Sequence, residues 1–519
     1  MSKTFDLAIV GSGFAGSLLA AIARRLGHSV VLLERFKHPR FVIGESATPL
    51  ANLLIQELAS RYDLPSLLPL TKWGSWQRSY PEIACGLKRG FTFYHHSFGS
   101  PFSANSDRSD QLLVAASPHD KIADTHWYRP DFDHFLVREA QRAGVEYLDE
   151  VVLGAPTFSK GKVTLTGRRQ AEPVSIDARF LIDASGPRGF LHRTLKLREA
   201  PFENLPQTQG LYTHFSGVRR LEDIPVFSSS ETPPFHVDDA AVHHVFDGGW
   251  VWVLRFNNGI TSAGVAATGE LADELRLAEG ARAWKRLLRR LPSVAEQFSE
   301  AEPQFPFVHA PRLSFRSEAI VGEGWALLPS AAGFVDPLLS TGFPLTLLGV
   351  ERIAKAIESD WDSVRLEDRL QVYAAQTGNE LLAAERLVAA LYANMKEFDL
   401  FTSISLLYFA AASFSEAARR LGRQDLAGLF LLCDRTEFGP RYRSCLEQAM
   451  RPLTPAQKAK LVEQIQQTIE PVNLAGLGAA ERRNWYPVDA NDLMGAAGKL
   501  GVTEKEIEQL LQRSGFWPE

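Results

Sequence analysis

The residues with the clearest chemical meaning open the chain: Gly11-Ser12-Gly13-Phe14-Ala15-Gly16, with Glu34 about 20 residues further on. This spacing suits a dinucleotide. Gly11 permits a tight turn, Gly13 lets the backbone approach a pyrophosphate, and Gly16 lets a helix pack on a strand. Phe14 and Ala15 begin that helix, whose amides and dipole face the anion. Glu34 can accept both ribose hydroxyls, and Arg35 beside it joins the expected cofactor-binding set. A plain tight turn would leave Glu34 unexplained. The elements that must hold these residues are legible around them. Asp6 to Val10 is an apolar strand, Leu18, Leu19, Ile22 and Leu26 follow helical spacing, and Ser29 to Leu33 forms a second strand, which makes a βαβ unit.

Two later segments point to FAD. Phe180-Leu-Ile-Asp-Ala-Ser-Gly-Pro187 delivers Asp183 and Gly186 to a turn, and Gly324-Trp-Ala-Leu-Leu-Pro-Ser-Ala-Ala-Gly-Phe-Val-Asp-Pro337 ends on Asp336. They resemble the second and third FAD segments of aromatic hydroxylases and flavin-dependent halogenases, where the last acid binds ribityl hydroxyls. Pro329-Ser330 stand where Gly-Asp is usual, so the usual ribityl contact is missing or replaced by Ser330. No second GxGxxG unit follows, so no separate nicotinamide domain is expected.

The resemblance narrows to the halogenases, of the phenol and pyrrole type rather than the tryptophan type. Phe41-Val-Ile-Gly-Glu-Ser-Ala-Thr-Pro49 looks like their loop over the flavin, which implies cofactor contacts at Gly44, Glu45 and Ser46. Cys85-Gly-Leu-Lys-Arg-Gly-Phe-Thr-Phe-Tyr94 resembles the strand that presents a tunnel lysine, here Lys88. Strand neighbours face opposite ways, so only one of Lys88 and Arg89 can point inward. Trp127 to Leu136 is similar to the family's arginine-led helix start, with Arg129 near the cofactor and Asp131 as a cap. Phe334-Val-Asp-Pro-Leu-Leu-Ser-Thr-Gly342 resembles the halogenase Phe-x-x-Pro-x-x-Ser-x-Gly pattern. The resemblance implies a chloride or bromide nest from Pro337, Ser340, Thr341 and Gly342, with Gly342 also beside the flavin. Gly248 to Phe256 keeps Trp250 and Trp252 of a family signature but ends in Leu254-Arg255 instead of Ile-Pro. Leu339 stands where tryptophan-type enzymes carry a glutamate, which argues against free tryptophan as substrate.

The whole chain bounds these readings. At 519 residues and 57.6 kDa it exceeds one hydrophobic core. A net charge of -5, with no long Lys/Arg run, excludes nucleic acid as an expected partner. Cys85, Cys433 and Cys445 lack CxxC spacing. His95-His96 and His243-His244 diverge along strands, so no metal site is expected. The apolar runs at the N-terminus and at Leu407 to Phe414 are too short to span a bilayer, and a cytoplasmic protein is expected. The latter run reads as packing over the active-site mouth or as a membrane-leaning patch.

The fold class is α/β: a Rossmann-type FAD-binding domain with a mixed β-sheet substrate domain and a helical C-terminal region. Residues 1–190 form the first part of the FAD-binding domain, 191–310 the mainly β unit, 311–360 the return segment, and 361–519 the helical region. Strand patterns run over 210–215, 242–246, 249–256 and 261–267. Helical patterns run over 271–291, 381–395, 409–421 and 454–468.

The resemblance implies halogenation of an electron-rich aromatic or similarly activated small molecule. FADH2 from a separate flavin reductase would react with oxygen, halide at the nest would become hypohalous acid, and Lys88 would carry or orient the halogen. Three other readings use the same residues. A flavin monooxygenase without halogenation is favoured by Leu254-Arg255 and Pro329-Ser330. A flavin reductase or dehydrogenase of the same fold, working on isoprenoid double bonds, would be favoured by a long apolar pocket. A non-enzymatic flavin-binding scaffold would bind FAD without consuming oxygen.

Overall fold

The structure, a computed structural model, describes residues 3–517; the outermost residues of the first and last expected units, 1–2 and 518–519, lie outside the described residues. Strands Lys3–Val10 and Val30–Leu33 pair in parallel, with Leu7 opposite Val30 and Val10 opposite Leu33. Val30–Leu33 is buried throughout, as a strand covered on both faces must be. Glu146–Leu148 lies outside it. On the other side come Glu172–Asp183 and then Trp325–Leu327, each parallel to its neighbour. Val10, Leu33, Asp183 and Leu327 therefore end along one edge of a nine-stranded sheet, and the loops leaving that edge carry the candidate site.

A second nine-stranded sheet is mixed. Ala241–Phe246, Gly249–Arg255, Thr261–Thr268 and Thr208–Ser216 run antiparallel in that spatial order, while Gly90–His95 joins Ala241–Phe246 in parallel. Segment 191–310 supplies the centre of this sheet, and Gly90–His95, Gln111–Ala115 and Trp485–Tyr486 supply its edge. The helix expected over 271–291 is divided into Gly269–Leu275 and Ala281–Arg290. Arg276 at φ 49° and Gly280 at φ 58° turn the chain between them, a conformation incompatible with a continuous right-handed helix.

From Gly342 the chain is mainly helical. The pattern over 381–395 belongs largely to the longer helix Arg365–Ala393, and that over 409–421 to Phe398–Arg420. Among the described residues, Phe398–Arg420 is the one helix long and apolar enough to cross a membrane, and 78% of its most apolar window is buried inside the protein. Phe401 and Phe409 pack edge-on against Phe93 and Phe91, with ring centroids 6.0 and 5.2 Å apart, so this helix backs the strand that follows Lys88. A short ribbon, Cys85–Lys88 paired antiparallel with Asp124–Trp127, lies between the two sheets in sequence and carries Lys88.

Candidate active site

The three glycines of the first turn do different work. Gly11 has φ +105°, and a Cβ there would stand 2.5 Å from the Ala184 carbonyl oxygen; at Gly16 it would stand 2.0 Å from the Gly11 oxygen. Both positions exclude a side chain. At Gly13 the nearest atoms to such a Cβ are Arg129 Nη2 at 3.5 Å, Asp133 Oδ2 at 3.7 Å and Arg40 Nη2 at 3.9 Å. Gly13, half-buried, thus has two guanidinium groups and the Asp133 carboxylate around it, at the start of helix Phe14–Arg25, whose first amides lack intrahelical acceptors. Phe14 and Ala15 are buried beneath it.

Glu34 is tied to this turn. Its Oε2 accepts from the Ser12 amide at 3.1 Å, the Ser12 hydroxyl at 3.0 Å and Arg40 Nη2 at 3.2 Å, and its Oε1 accepts from the Phe36 amide. Burial opposes its charge, but Arg40 and the two amides outweigh burial and hold the carboxyl below its ordinary range. Arg35 does not join them: it is exposed and lies over the Phe36 ring, 4.5 Å from its centroid. The strand-end geometry sends Glu34 inward and Arg35 outward, and it is Arg40 that reaches the Glu34 carboxylate. His38 Nε2 lies 2.8 Å from the Ser12 hydroxyl, and burial pushes this imidazole down to about 4. His38 Nδ1 and Arg40 Nε are buried without hydrogen-bond partners. Such orphaned groups beside a glycine-rich turn fit the polar perimeter of a dinucleotide. Sequence spacing contains no signal for either residue.

Three consecutive loop residues grip three separate elements. Gly44, at φ +92°, offers its carbonyl to Arg129 Nη1 at 2.8 Å. Arg129 also binds Asp133 through two hydrogen bonds of 2.7 and 2.8 Å and lies 5.0 Å from the ring centroid of Phe14. Glu45 Oε1 is 2.8 Å from His214 Nε2, with both side chains fully buried. Ser46 accepts a hydrogen bond of 2.8 Å from Lys88 Nζ. The loop is held alongside the ribbon by a Ser46–His126 bridge and by the Trp127 amide, which donates to the Glu45 carbonyl at 2.6 Å. Asp131 does not cap the helix Arg129–Arg142. Tyr128 occupies the cap position, and Asp131, inside the first turn, accepts from the Ala84 amide at 3.1 Å.

Of the two adjacent cations, the structure turns Lys88 inward and Arg89 outward. Arg89 binds Asp120 at 2.7 Å and the carbonyls of Ser117 and Pro118. Lys88 is fully buried, donates to the Ser46 hydroxyl and to the Ala47 carbonyl at 2.6 Å, and has its Nζ 4.0 Å from the Phe91 ring centroid. Burial pushes its pKa down, and the charge of Asp124 works in the opposite direction.

Asp183 and Asp336, both expected at the cofactor, are committed to the protein. Asp183 accepts from the Ser185 amide and hydroxyl at 2.9 and 2.6 Å and from the Leu191 amide at 2.6 Å, so it fixes its own turn. Gly186 follows at φ +82° with no protein atom within 4 Å of a Cβ position. Asp336 accepts from the Leu338 amide, from Trp250 Nε1 at 3.3 Å and from the Tyr392 hydroxyl at 3.0 Å, and burial pushes it up to about 7. Beyond it, Leu339 and Ser340 adopt φ 62° and 55° before Thr341 returns to φ −68°. Each left-handed residue costs about 1–2 kcal/mol. Left-handed residues followed by a right-handed one turn successive amides toward one side of the backbone, here at the start of helix Gly342–Asp360. The Ser340 amide itself closes on the Pro337 carbonyl at 3.1 Å, and a Cβ on Gly342 would meet only Phe334, at 4.0 Å.

Trp250 and Trp252 are buried neighbours on one strand face, 5.7 Å apart. Arg255, where the signature has proline, clips the sheet by binding Asp238 at 2.9 Å and the carbonyls of Val218 and Arg219.

Residues 124–399 match the profile of the tryptophan halogenase family. The chain is 32% identical over 383 residues to the monodechloroaminopyrrolnitrin halogenase PrnC of Pseudomonas fluorescens, an alignment covering 71% of this chain and 65% of that one. It is 30% identical to the tetracycline 7-halogenase of Kitasatospora aureofaciens, covering 66% of this chain and 61% of that one. The chain thus spans less than two thirds of the length of either relative. The crystal structure of halogenase PltM in complex with phloroglucinol and FAD superposes with a TM-score of 0.82 at 25% identity, covering 92% of this chain and 99% of the other. The mixed α/β architecture with its helical C-terminal region is that of this structure. The match over half of the chain, the relatives and the shared fold together establish that the protein belongs to the tryptophan halogenase family.

Proposed function

We propose that the protein is a flavin-dependent halogenase that uses FADH2, oxygen and chloride or bromide to halogenate an electron-rich aromatic small molecule. The observation that carries this reading is Lys88, a fully buried ammonium that forms no ion pair among the described residues and is held by Ser46 and Ala47 instead. A buried amine whose hydrogen bonds go to neutral oxygens is costly to keep charged, and such groups concentrate where chemistry needs them.

Gly11, Gly13, Phe14, Ala15, Gly16 and Glu34 would hold the dinucleotide, with Arg40 and Arg129 beside Gly13; Gly44, Glu45 and Ser46 would cover the cofactor, and Gly186 and Gly342 would border it. The guanidinium groups beside Gly13 and the orphaned polar atoms of His38 and Arg40 fit that occupant. When bound as FADH2, the flavin with oxygen supplies the oxidising equivalents that turn halide into hypohalous acid. The amides of Thr341 and Gly342, presented by the turn that Ser340 closes on Pro337, would hold the halide. Lys88 would orient the electrophilic halogen toward the substrate, and the closed packing around it would exclude water. Residues 1–190 with 311–360 form the flavin-holding unit in this reading, 191–310 the substrate wall, and 361–519 the helical cover.

The relatives include a tetracycline 7-halogenase and a halogenase solved with phloroglucinol, which support a phenol, and a 1H-pyrrole-2-carbonyl-[peptidyl-carrier protein] brominase, which supports a pyrrole. Leu339, in place of an acid, supports the same class. A separate flavin reductase would supply FADH2, since the sequence holds one GxGxxG unit, and three unpaired cysteines suit the cytoplasm.

The test is mass spectrometry of products from purified protein given FAD, a generic flavin reductase, NADH, oxygen and bromide, with a panel of phenols, pyrroles and indoles and with free peroxide scavenged. A bromine isotope doublet is expected. Oxygen insertion without bromine would replace this reading with a monooxygenase.

A further inference from the structure

The ribbon register places Lys88 directly opposite Asp124. Opposed residues on antiparallel strands have Cβ atoms about 5 Å apart on one face. Both side chains are buried, at 0% and 7% exposure. Yet the ammonium is turned to Ser46 and Ala47, while Asp124 is held from another side by Asn52 Nδ2, 2.8 Å from its Oδ1. Asn52 lies on helix Pro49–Arg61, the continuation of the loop that carries Ser46. A lysine stem is long and rotatable enough to carry its nitrogen from Ser46 to the carboxylate opposite.

We propose that Asp124 is the positioning residue of Lys88: a buried carboxylate that retains the ammonium in the site and accepts its proton when the amine acts on the halogen. In that step one N–H bond of the ammonium breaks and one carboxyl O–H bond forms, leaving a neutral amine and a neutral acid. The amine nitrogen then displaces hydroxide from hypohalous acid, the N–H proton released joins that hydroxide as water, and halogen is left on nitrogen at unchanged oxidation level. The inference rests on the halogenase reading for the source of hypohalous acid.

The surroundings support a shared proton. His126 and His243 face Lys88, and burial holds both imidazoles below their ordinary range. Asp124 is faced by Lys88, Lys72, Tyr408, Glu416 and Arg420, with Glu416 and Arg420 paired to each other at 2.7 Å. Burial, reinforced by Glu416, pushes Asp124 up as burial pushes Lys88 down, so the two groups approach one another in proton affinity.

The test follows the ζ-nitrogen of Lys88 by NMR in the holoenzyme, its signal assigned by absence in Lys88→Met, beside the pH profile of bromination. In Asp124→Asn the Lys88 titration midpoint falls by about one pH unit or more, because the ammonium has lost its counter-charge. Its bromination rate gains an acid limb ending at that midpoint, whereas the wild-type rate is flat across the same interval. Asp124→Glu restores both. Should Asp124→Asn not fold, Asn52→Leu, which removes the hydrogen bond favouring Asp124 charge, moves the midpoint in the same direction. An unmoved midpoint with an unchanged pH profile would overturn the proposal. Absence of any brominated product from the wild type would refute the halogenase reading, while the midpoint would still decide whether Asp124 and Lys88 are paired.

Discussion

The hydroxyl of Ser46 lies 2.8 Å from Lys88 Nζ, so the loop that begins at Gly44 and the strand that ends at Lys88 share one charged hydrogen bond. Gly44 in the same loop holds Arg129, and Glu45 holds His214. Position at Lys88 is thereby linked to the turn at Gly13, which Arg129 borders.

Ser46→Ala removes one of the two partners of the ammonium. A hydrogen bond to a charged group is worth about 1.5–3 kcal/mol, so kcat for halogenation falls roughly 10- to 100-fold with the substrate KM little changed. Steady-state kinetics on the variant and thermal unfolding of the free protein separate this from a folding defect.

Gly13→Ala separates cofactor binding from folding. The nearest protein atom to the added methyl is 3.5 Å away, an ordinary contact, so stability changes by no more than about 1 kcal/mol, mostly from the weaker helix cap. FAD affinity, read by flavin fluorescence titration, falls at least tenfold because the methyl occupies the face the pyrophosphate would approach. Equal FAD affinity in both proteins would show that this turn holds something else.

How far the sequence discloses this site depends on distance along the chain. The turn at Gly11 to Gly16 and Glu34 are legible because they are local and their chemistry follows from spacing. Alternation limits the choice between Lys88 and Arg89 to one inward residue, and the structure makes it Lys88. His214 is 169 positions from Glu45, and Arg40 differs from Arg35 only in where the loop turns, so neither could be read from spacing. Asp183 and Asp336 show what a motif position does not disclose: their oxygens accept from the turn that carries them or from Trp250 and Tyr392, partners that no spacing names. The second sheet is legible in its central strands, but its edge draws on residues 90–95 and 485–486, which no local pattern connects.

His214→Ala leaves Glu45 buried with neither carboxylate oxygen bonded, since its Oε2 already lacks a partner. Leaving a buried hydrogen-bonding group without its partner costs roughly 1–3 kcal/mol. The variant therefore unfolds at a markedly lower temperature, and Glu45→Gln added to it restores part of the loss, measured as a double-mutant coupling by thermal or denaturant unfolding.

Asp336 carries a pH signature. Its folded value of about 7 lies above the ordinary carboxyl value, so the native state holds a proton that the unfolded chain releases. The resulting stability is fully present below about pH 4 and is lost as pH rises through about 7. Asp336→Asn abolishes this component, so the stability difference between variant and wild type shifts in the variant's favour by roughly 4 kcal/mol between pH 4 and pH 8. Denaturant midpoints at the two pH values check it.

The role of Lys88 is decided by comparing wild type with Lys88→Ala under FAD, a flavin reductase, NADH, oxygen, bromide and an accepted phenol, recording brominated product, oxygen consumption and FAD binding in the same preparations. The variant is expected to bind FAD and consume oxygen like the wild type while brominated product falls at least a hundredfold. Undiminished bromination without Lys88 would contradict that role.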